Sequence, residues 1–263
     1  MTDETQEKQQ PKTRWYRQTT IWAIIISVVA LLLSQFPHIR AWIPKNDIKV
    51  EIGNRITIRP VLGISGYDIV IDLKNIGNRR LNISNLGLEL VYPNGTTRHV
   101  PAESYLRVLA GQTESQNLTI TSIKLNAGDG WTETVSFFPI ASPSEEEEEN
   151  RIILQISESI FSKARKFGPR GFAHTFTIEA EKRFADEAIA YFHRRFDLEK
   201  GTYKASISCT MNGLKVMLKK FEFTLYEHHI KTCKLQTEDY KYGYGVYLPF
   251  NENKLISPLI SEK

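Results

Sequence analysis

The longest apolar stretch of the chain lies near its amino terminus. No Asp, Glu, Lys or Arg occurs between Arg17 and Arg40, and residues 21–33 are apolar apart from Ser27. Because about 20 such residues in a helix cross a bilayer core of about 30 Å, the pattern predicts one transmembrane helix over residues 19–39. Aromatic residues that favour the headgroup level flank it, namely Trp15, Tyr16, Trp22, Phe36 and Trp42.

Two other interpretations fit this stretch less well. A cleavable signal peptide needs small residues at a cleavage site after the apolar core, but residues 35–38, QFPH, occupy that position. A buried helix of a globular domain usually keeps a polar face, which this stretch lacks. The sequence therefore predicts an uncleaved signal-anchor that attaches a single-pass protein to the lipid bilayer.

The basic residues around the predicted span indicate its orientation. They are Lys8, Lys12, Arg14 and Arg17 before the span and Arg40, Lys45 and Lys49 after it. Because basic residues near a span favour the cytoplasmic side, this small excess predicts an inside amino terminus and an extracytoplasmic large domain. Residues 1–18 lack apolar periodicity and are predicted to be a disordered tail, and residues 40–47 are the predicted linker.

Beyond the linker, apolar and polar residues alternate, as in strands that a core covers on one face. Strands are predicted at residues 48–58, 67–73, 81–90, 117–125 and 131–138. The first ends at Pro60, because proline cannot continue the ladder of a central strand. The third changes parity after Ile83, so a β-bulge is predicted near Ser84 and Asn85.

A hairpin is the clearest local pattern in the second half of the chain. Residues 203–209 alternate, Asn212 and Gly213 suit a two-residue type I′ turn, and residues 215–226 return. This register places Cys209 opposite Val216. Six apolar residues of the returning strand occupy even positions before Lys219 and odd positions after Lys220. A bulge at Lys219 and Lys220 would let all six face the core: Leu214, Val216, Leu218, Phe221, Phe223 and Leu225.

Two segments carry a family resemblance. Residues 71–90, IDLKNIGNRRLNISNLGLEL, and residues 201–225, GTYKASISCTMNGLKVMLKKFEFTL, resemble the second-third and last-two strand pairs of bacterial immunoglobulin-like domains. Gly201 and Tyr203 are similar to the tyrosine-bearing start of the penultimate strand of that fold. The resemblance implies an antiparallel β-sandwich with a binding or structural role, although the short strands also leave a barrel open.

The strand pattern is interrupted between residues 142 and 195. Ser144 with Glu147 fits a capping box, the acidic run 145–149 lies at the predicted start, and basic residues precede Gly168. These features predict a helix over residues 145–166, whereas residues 179–195 fit a helix or a strand. We predict a β-sandwich over residues 48–235 with a partly helical insertion at about 142–195, and we expect residues 142–170 to be dispensable for folding.

Residues 236–263 are the predicted carboxy-terminal tail, whose tyrosines pack on the domain or fray.

Charge does not indicate a nucleic-acid partner. The formal net charge is +4, but basic and acidic residues alternate along the chain and the dense charge run at 145–149 is acidic. A protein that follows a phosphate backbone needs a basic stripe. We therefore expect no nucleic-acid partner.

Histidine and cysteine supply the candidate metal ligands, and their spacing argues against a site. His228 and His229 are predicted at a strand end, where neighbouring side chains point in opposite directions. One of them could pair with Cys233, but a structural zinc site needs four ligands. His193 and Asp197 would share a face of a helix, which more often indicates a surface pair, and His99 and His174 stand alone. Consecutive glutamates lack the geometry of a calcium loop. No metal or cofactor is predicted.

No motif for catalysis is visible either. The chain has no nucleophile-elbow Gly-x-Ser-x-Gly and no phosphate-binding glycine loop, so we predict no catalytic residues and no enzymatic activity.

Cys209 and Cys233 are predicted to stay unpaired, because a continuous strand would carry Cys233 far from the hairpin. The sequence favours a membrane-anchored module that binds another protein. The alternatives are a scaffold subunit of a membrane complex and a hydrolase of envelope polymers.

Overall fold

The computed structural model describes residues 19–42, 45–108, 115–166, 177–250 and 254–262. The chain divides after Lys45 into two units. The first contains the helix α1, Thr19–Trp42, on which large apolar side chains are exposed between Trp22 and Leu33. Among the described residues, no helix has both the length and the apolar character that crossing a membrane requires.

The second unit is built mainly on an antiparallel sheet of ten strands. Its strands are β1 (Ile48–Val61), β2 (Ile64–Asn75), β3 (Leu81–Val91), β4 (Thr97–Val108), β5 (Ser115–Thr119), β6 (Ser122–Leu125), β7 (Gly130–Phe137), β8 (Gly201–Met211), β9 (Leu214–Leu225) and β10 (Ile260–Glu262). The order across the sheet is β1-β2-β7-β4-β3-β8-β9-β10, with β5 beside β4 and β6 beside β3. Strands occur at the predicted positions, but the single strand predicted at 117–125 is divided into β5 and β6, which pair with different neighbours, and neither β4 nor β10 was predicted.

The sheet curls into a nearly closed barrel. β10 pairs with β9 at one end of the strand order, and the residues just before β10 reach β1 at the other. The backbone N–H of Ile58 donates to the carbonyl of Ile256 at 2.9 Å, and that of Ile56 donates to the carbonyl of Pro258 at 3.2 Å. The nearly closed barrel thus replaces the β-sandwich predicted over residues 48–235, and residues 256–262 of the predicted carboxy-terminal tail contribute to it.

β4 joins the two halves of the barrel. Its first part, residues 97–101, pairs with β3, and its second part, residues 102–108, pairs with β7 and β5. The register between β4 and β7 shifts between Ala102 and Ser104, as expected where a strand bends from one sheet into another.

The β-bulge predicted in the third strand is present in β3. The register between β3 and β8 breaks between Ser84 and Gly87, and Asn85 adopts a positive φ of 49°, so the predicted irregularity in β3 is confirmed. It lets side chains of both parities face the core, where Ile83 and Leu88 are buried.

The hairpin of β8 and β9 is also confirmed, including its register. Cys209 pairs with Val216, and Asn212 and Gly213 have φ values of 50° and 87°, as a type I′ turn requires. The bulge lies at Leu218, next to the predicted site. The prediction that six side chains of β9 are buried is wrong, because Phe221, Phe223 and Leu225 are buried whereas Leu214 is 72% exposed near the hairpin tip.

Three α-helices pack with the β-domain: α2 (Pro143–Lys166), α3 (Lys182–Arg195) and α4 (Glu227–Leu235), the last followed by a 3-10 helix, Gln236–Tyr242. The predicted helix at 145–166 is confirmed, but it starts two residues earlier with Pro143 in its first turn. The reciprocal cap is formed by Ser142 and Glu145, and not by the predicted pair Ser144 and Glu147. The ambiguous segment 179–195 contains a helix, α3.

The helices form a second hydrophobic cluster beside the barrel core. Its buried members come from α2, from α3, from the turn between β1 and β2, and from the residues after α4: Leu62, Ile152, Ile156, Ile160, Ala180, Ala188, Tyr191, Phe192, Tyr240 and Val246. Because α2 shares this cluster with residues far away in the sequence, the packing argues against the expectation that residues 142–170 are dispensable for folding.

Candidate interaction surface

The adjacent histidines lie on a helix and not at a strand end. β9 stops at Leu225, and α4 begins at Glu227. The rings of His228 and His229 are 4.0 Å apart between centroids, so the predicted divergence of their side chains is wrong. His229 Nδ1 accepts the backbone N–H of Tyr226 at 3.2 Å and so caps the helix. Burial, followed by the nearby His228, lowers the pKa of His229 below its ordinary value.

The candidate metal ligands do not assemble into a site. Cys233 is fully buried in the barrel core, where burial raises its thiol pKa to about 12, while His228 and His229 line a surface groove. Cys209 and Cys233 are both free thiols. Among the ranges that the structure describes, no group of three or more His, Cys, Asp or Glu side chains is placed to hold a metal ion. His174 lies outside those ranges.

His193 and Asp197 do not form the predicted pair, because α3 ends at Arg195. Asp197 instead accepts hydrogen bonds from the Arg98 guanidinium and from the Tyr92 hydroxyl, the latter at 3.2 Å. Arg98 lies on β4, so this interaction ties the segment after α3 to the barrel. Burial, aided by the charge on Asp197, raises the pKa of Tyr92.

The acidic run is held largely by arginines at the end of α3. Arg194 Nη2 contacts both carboxylate oxygens of Glu148 at 2.8 Å, and Arg195 pairs with Glu149 and, at 3.0 Å, with Glu145. The start of α2 and the end of α3 are therefore joined by five ion-paired residues and by Tyr191, whose hydroxyl also contacts Glu149. The sequence carried a signal for this contact, since two basic residues end the segment 179–195, which fits a helix or a strand, and five glutamates open the helix predicted over residues 145–166.

The opposite face of α2 remains open. Leu154 is 57% exposed there, and the polar residues around it are Glu146, Glu147, Asn150, Arg151, Gln155 and Glu158. These residues line a shallow groove of about 670 Å³ along the helix. The guanidinium of Arg151 is ion-paired with Glu187 at 2.6 Å, so the net charge of this surface is negative. Within the described residues, Glu146, Glu147 and Glu158 have no ion-pair partner, in contrast to their neighbours Glu145, Glu148 and Glu149. We call this surface the α2 outer face.

Comparisons with known proteins give little information. No family model and no curated protein matches the chain. Among solved structures, a Bordetella pertussis protein with the provisional name ApaA is similar with a TM-score of 0.30 and 9% identity, over 70% of this chain and 98% of its own. A Northeast Structural Genomics Consortium target has a TM-score of 0.25 and 10% identity, over 68% and 88%. TM-scores this low support no argument about fold or function.

Proposed function

We propose that this chain is a membrane-anchored protein that binds another protein through the α2 outer face. The observation that carries the proposal is the asymmetry of α2. One side of the helix buries Ile152, Ile156 and Ile160, and the other exposes Leu154 among carboxylates without ion-pair partners in the described part of the chain.

The chemistry of this face indicates the partner. When a complementary surface covers an exposed leucine, the burial of its apolar area lowers the free energy of the complex by roughly 25 cal/mol per Å². Unpaired carboxylates around it increase the rate and the selectivity of association with a positively charged surface. The partner that fits is a protein with an apolar side chain flanked by Lys or Arg.

Strand connectivity supports the immunoglobulin-like part of the interpretation. In that fold, one sheet has the order A-B-E-D and the other the order C-F-G. Here β1, β2, β7 and β4 are neighbours in one order, and β3, β8 and β9 in the other. The Tyr203 hydroxyl also donates to the carbonyl of Glu199 and accepts its N–H, both at 2.9 Å, in the manner of the tyrosine corner of such domains.

The helix α1 supports the membrane part of the proposal. Its large apolar side chains from Ile24 to Leu33 are exposed, and the exposed fraction of Leu31 is 65%. Such an apolar surface is more stable in lipid than in water. We propose that α1 anchors the protein with the amino terminus inside and the large domain outside the cytoplasm. Alkaline carbonate should leave the protein in the membrane pellet. Protease should digest the domain once the outer barrier is opened, whereas protection that lasts until the cytoplasmic membrane is lysed would reverse the orientation.

The binding proposal is tested by co-purification from detergent extracts with two matched variants. Leu154→Asp adds a charge to the α2 outer face, and Ile76→Asp adds the same charge at a side chain of similar exposure in the turn between β2 and β3. Both variants should keep the wild-type melting temperature. The partner should be lost with Leu154→Asp and retained with Ile76→Asp, and retention by both would remove the α2 outer face from the proposal.

The stoichiometry of the recovered complex distinguishes two classes of function. A binding module that engages its partner reversibly should yield a substoichiometric partner that dissociates as salt screens the carboxylates. A scaffold subunit of a membrane complex should yield several proteins in fixed ratio that resist salt. Neither function needs a catalytic group in this domain.

A further inference from the structure

The outer edge of β9 is open along half of its length. β8 pairs with β9 from Leu214 to Leu225, but β10 covers only residues 221–223 on the other side. In the described part of the chain, no strand pairs with the outer edge of residues 214–220. An uncovered strand presents unpaired N–H and C=O groups, to which an extended segment can add as a further strand.

The composition of this edge is basic. Residues 214–220 read LKVMLKK, with three lysines and no acidic residue. Lys219 already shows how the edge accepts a strand, since its ammonium group lies 2.6 Å from the carboxylate of Glu262 on β10. β10 is thus a short natural example of an extended segment that joins β9 and neutralises one of its lysines.

Apolar side chains flank the same edge on both faces. Leu214 is 72% exposed and Met217 is 54% exposed, because the β-bulge at Leu218 turns Met217 toward the outer face of the barrel. Met217 borders a groove of about 370 Å³ whose charged lining is mixed, with Lys204 and Lys220 beside Glu89 and Glu222. An added strand would therefore find apolar contacts as well as backbone partners.

We propose that residues 214–220 of β9 are a strand-addition site for an extended acidic segment of a partner protein. Alternating carboxylates would pair with Lys215 and Lys220, neither of which forms an ion pair with a described residue, although Glu222 lines the same groove as Lys220, and the intervening apolar side chains would contact Met217 or Leu214. A second copy of the chain is a poor occupant, because two such edges would bring lysines together.

The test uses the full-length protein and two synthetic peptides, acetyl-VEVEVEV-amide and acetyl-VKVKVKV-amide. The probe is hydrogen exchange at the amides of residues 214–220. The glutamate peptide should slow exchange of the edge amides at least tenfold, and the lysine peptide should leave it unchanged. Unchanged exchange with the glutamate peptide, or equal protection by both peptides, would overturn the proposal. Protection that grows with protein concentration without any peptide would also overturn it, in favour of self-association.

Charge reversal supplies the matched control. Lys215→Glu combined with Lys220→Glu should abolish protection by the glutamate peptide. Lys74→Glu should retain it, because Lys74 is an exposed lysine on β2, a strand paired on both sides. All of these substitutions lie on exposed positions, so a retained melting temperature shows that the barrel is intact. Equal loss of protection in both variants would contradict a site on β9.

Discussion

The turn at Gly63 lies directly against the backbone of α3 at Phe192. A Cβ atom on Gly63 would be 2.5 Å from the carbonyl oxygen of Phe192, and Gly63 has a φ of +90°. Its neighbour Leu62 is buried in the helical cluster. The β1–β2 turn is therefore one of the points where the barrel and the helices contact each other, and glycine is required there for both space and conformation.

Gly63→Ala should be strongly destabilising. The positive φ costs about 1–2 kcal/mol for an alanine, and the contact with a backbone oxygen adds to that cost, so we expect a total loss of about 2–4 kcal/mol. Gly128→Ala is the control, because Gly128 has a φ of +84° but no atom within 4 Å of the added Cβ. Urea denaturation measures both. Equal losses in the two variants would contradict the steric contact with α3.

Tyr203→Phe should destabilise the barrel by about 1–3 kcal/mol, since it removes the hydroxyl that hydrogen-bonds both the backbone N–H and the carbonyl of Glu199. Tyr247→Phe is the matched control, because the hydroxyl of Tyr247 is buried and has no hydrogen-bond partner among the described residues, and its removal should change the free energy of unfolding by less than about 0.5 kcal/mol. Thermal unfolding followed by circular dichroism compares them. A larger loss for Tyr247→Phe would refute this assignment of the hydrogen bonds.

Arg195→Ala should loosen the contact between α2 and α3. The Arg195 side chain is 15% exposed and Glu149 is 19% exposed, so the substitution leaves a mostly buried carboxylate unpaired at a cost of about 2–4 kcal/mol. Arg183→Ala should cost less than about 0.5 kcal/mol, because its pair with Glu181 is exposed. Urea denaturation measures the free energy of unfolding of both variants. Similar losses in the two variants would contradict a stabilising role of the Arg195–Glu149 ion pair.

The buried thiols predict a loss of stability at alkaline pH. Burial raises the pKa of Cys209 to about 11 and that of Cys233 to about 12, whereas thiols of the unfolded chain ionise near pH 8.5. The unfolded state therefore releases these protons first as the pH rises, and the free energy of unfolding falls above about pH 8.5. We expect a loss of about 2.5–3 kcal/mol between pH 7 and pH 9.5 from the two thiols together.

The double variant Cys209→Ala with Cys233→Ala is the control for this titration. It should start less stable, because each substitution leaves a small cavity, but its free energy of unfolding should fall less between pH 7 and pH 9.5. The same fall in the variant and in the wild type would assign the effect to other groups. Alkylation of the denatured protein without reductant should also label both cysteines, as free thiols require.

Local signals in the sequence were sufficient for much of the β-domain. Asn212 and Gly213 specify their own turn, and the parity change after Ile83 is visible in the third strand, so the hairpin register and the β3 bulge were predicted correctly. Closure of the barrel was not predicted, because Arg55 and Leu259 pair across most of the chain. Such long-range pairing leaves no periodic signal in either segment.

The candidate surface was only partly predictable for a related reason. The face that α2 exposes depends on where α3 and Leu62 cover it, which is a property of packing and not of helix propensity. The histidines of α4 were misplaced because the helix begins without a Ser, Thr, Asp or Asn cap and is capped by the His229 side chain. A strand pattern that continues to Tyr226 conceals that start.

Site-specific photo-crosslinking is the most direct measurement of protein binding through the α2 outer face. A photoreactive residue replaces Leu154 in the full-length protein, and the same residue replaces Ile76 in a control of similar exposure. Irradiation of intact membranes should give one discrete adduct from position 154, and high salt should weaken it because carboxylates surround that position. Position 76 should give no such adduct. The same adduct from both positions, or none from position 154 at any salt concentration, would contradict the proposed function.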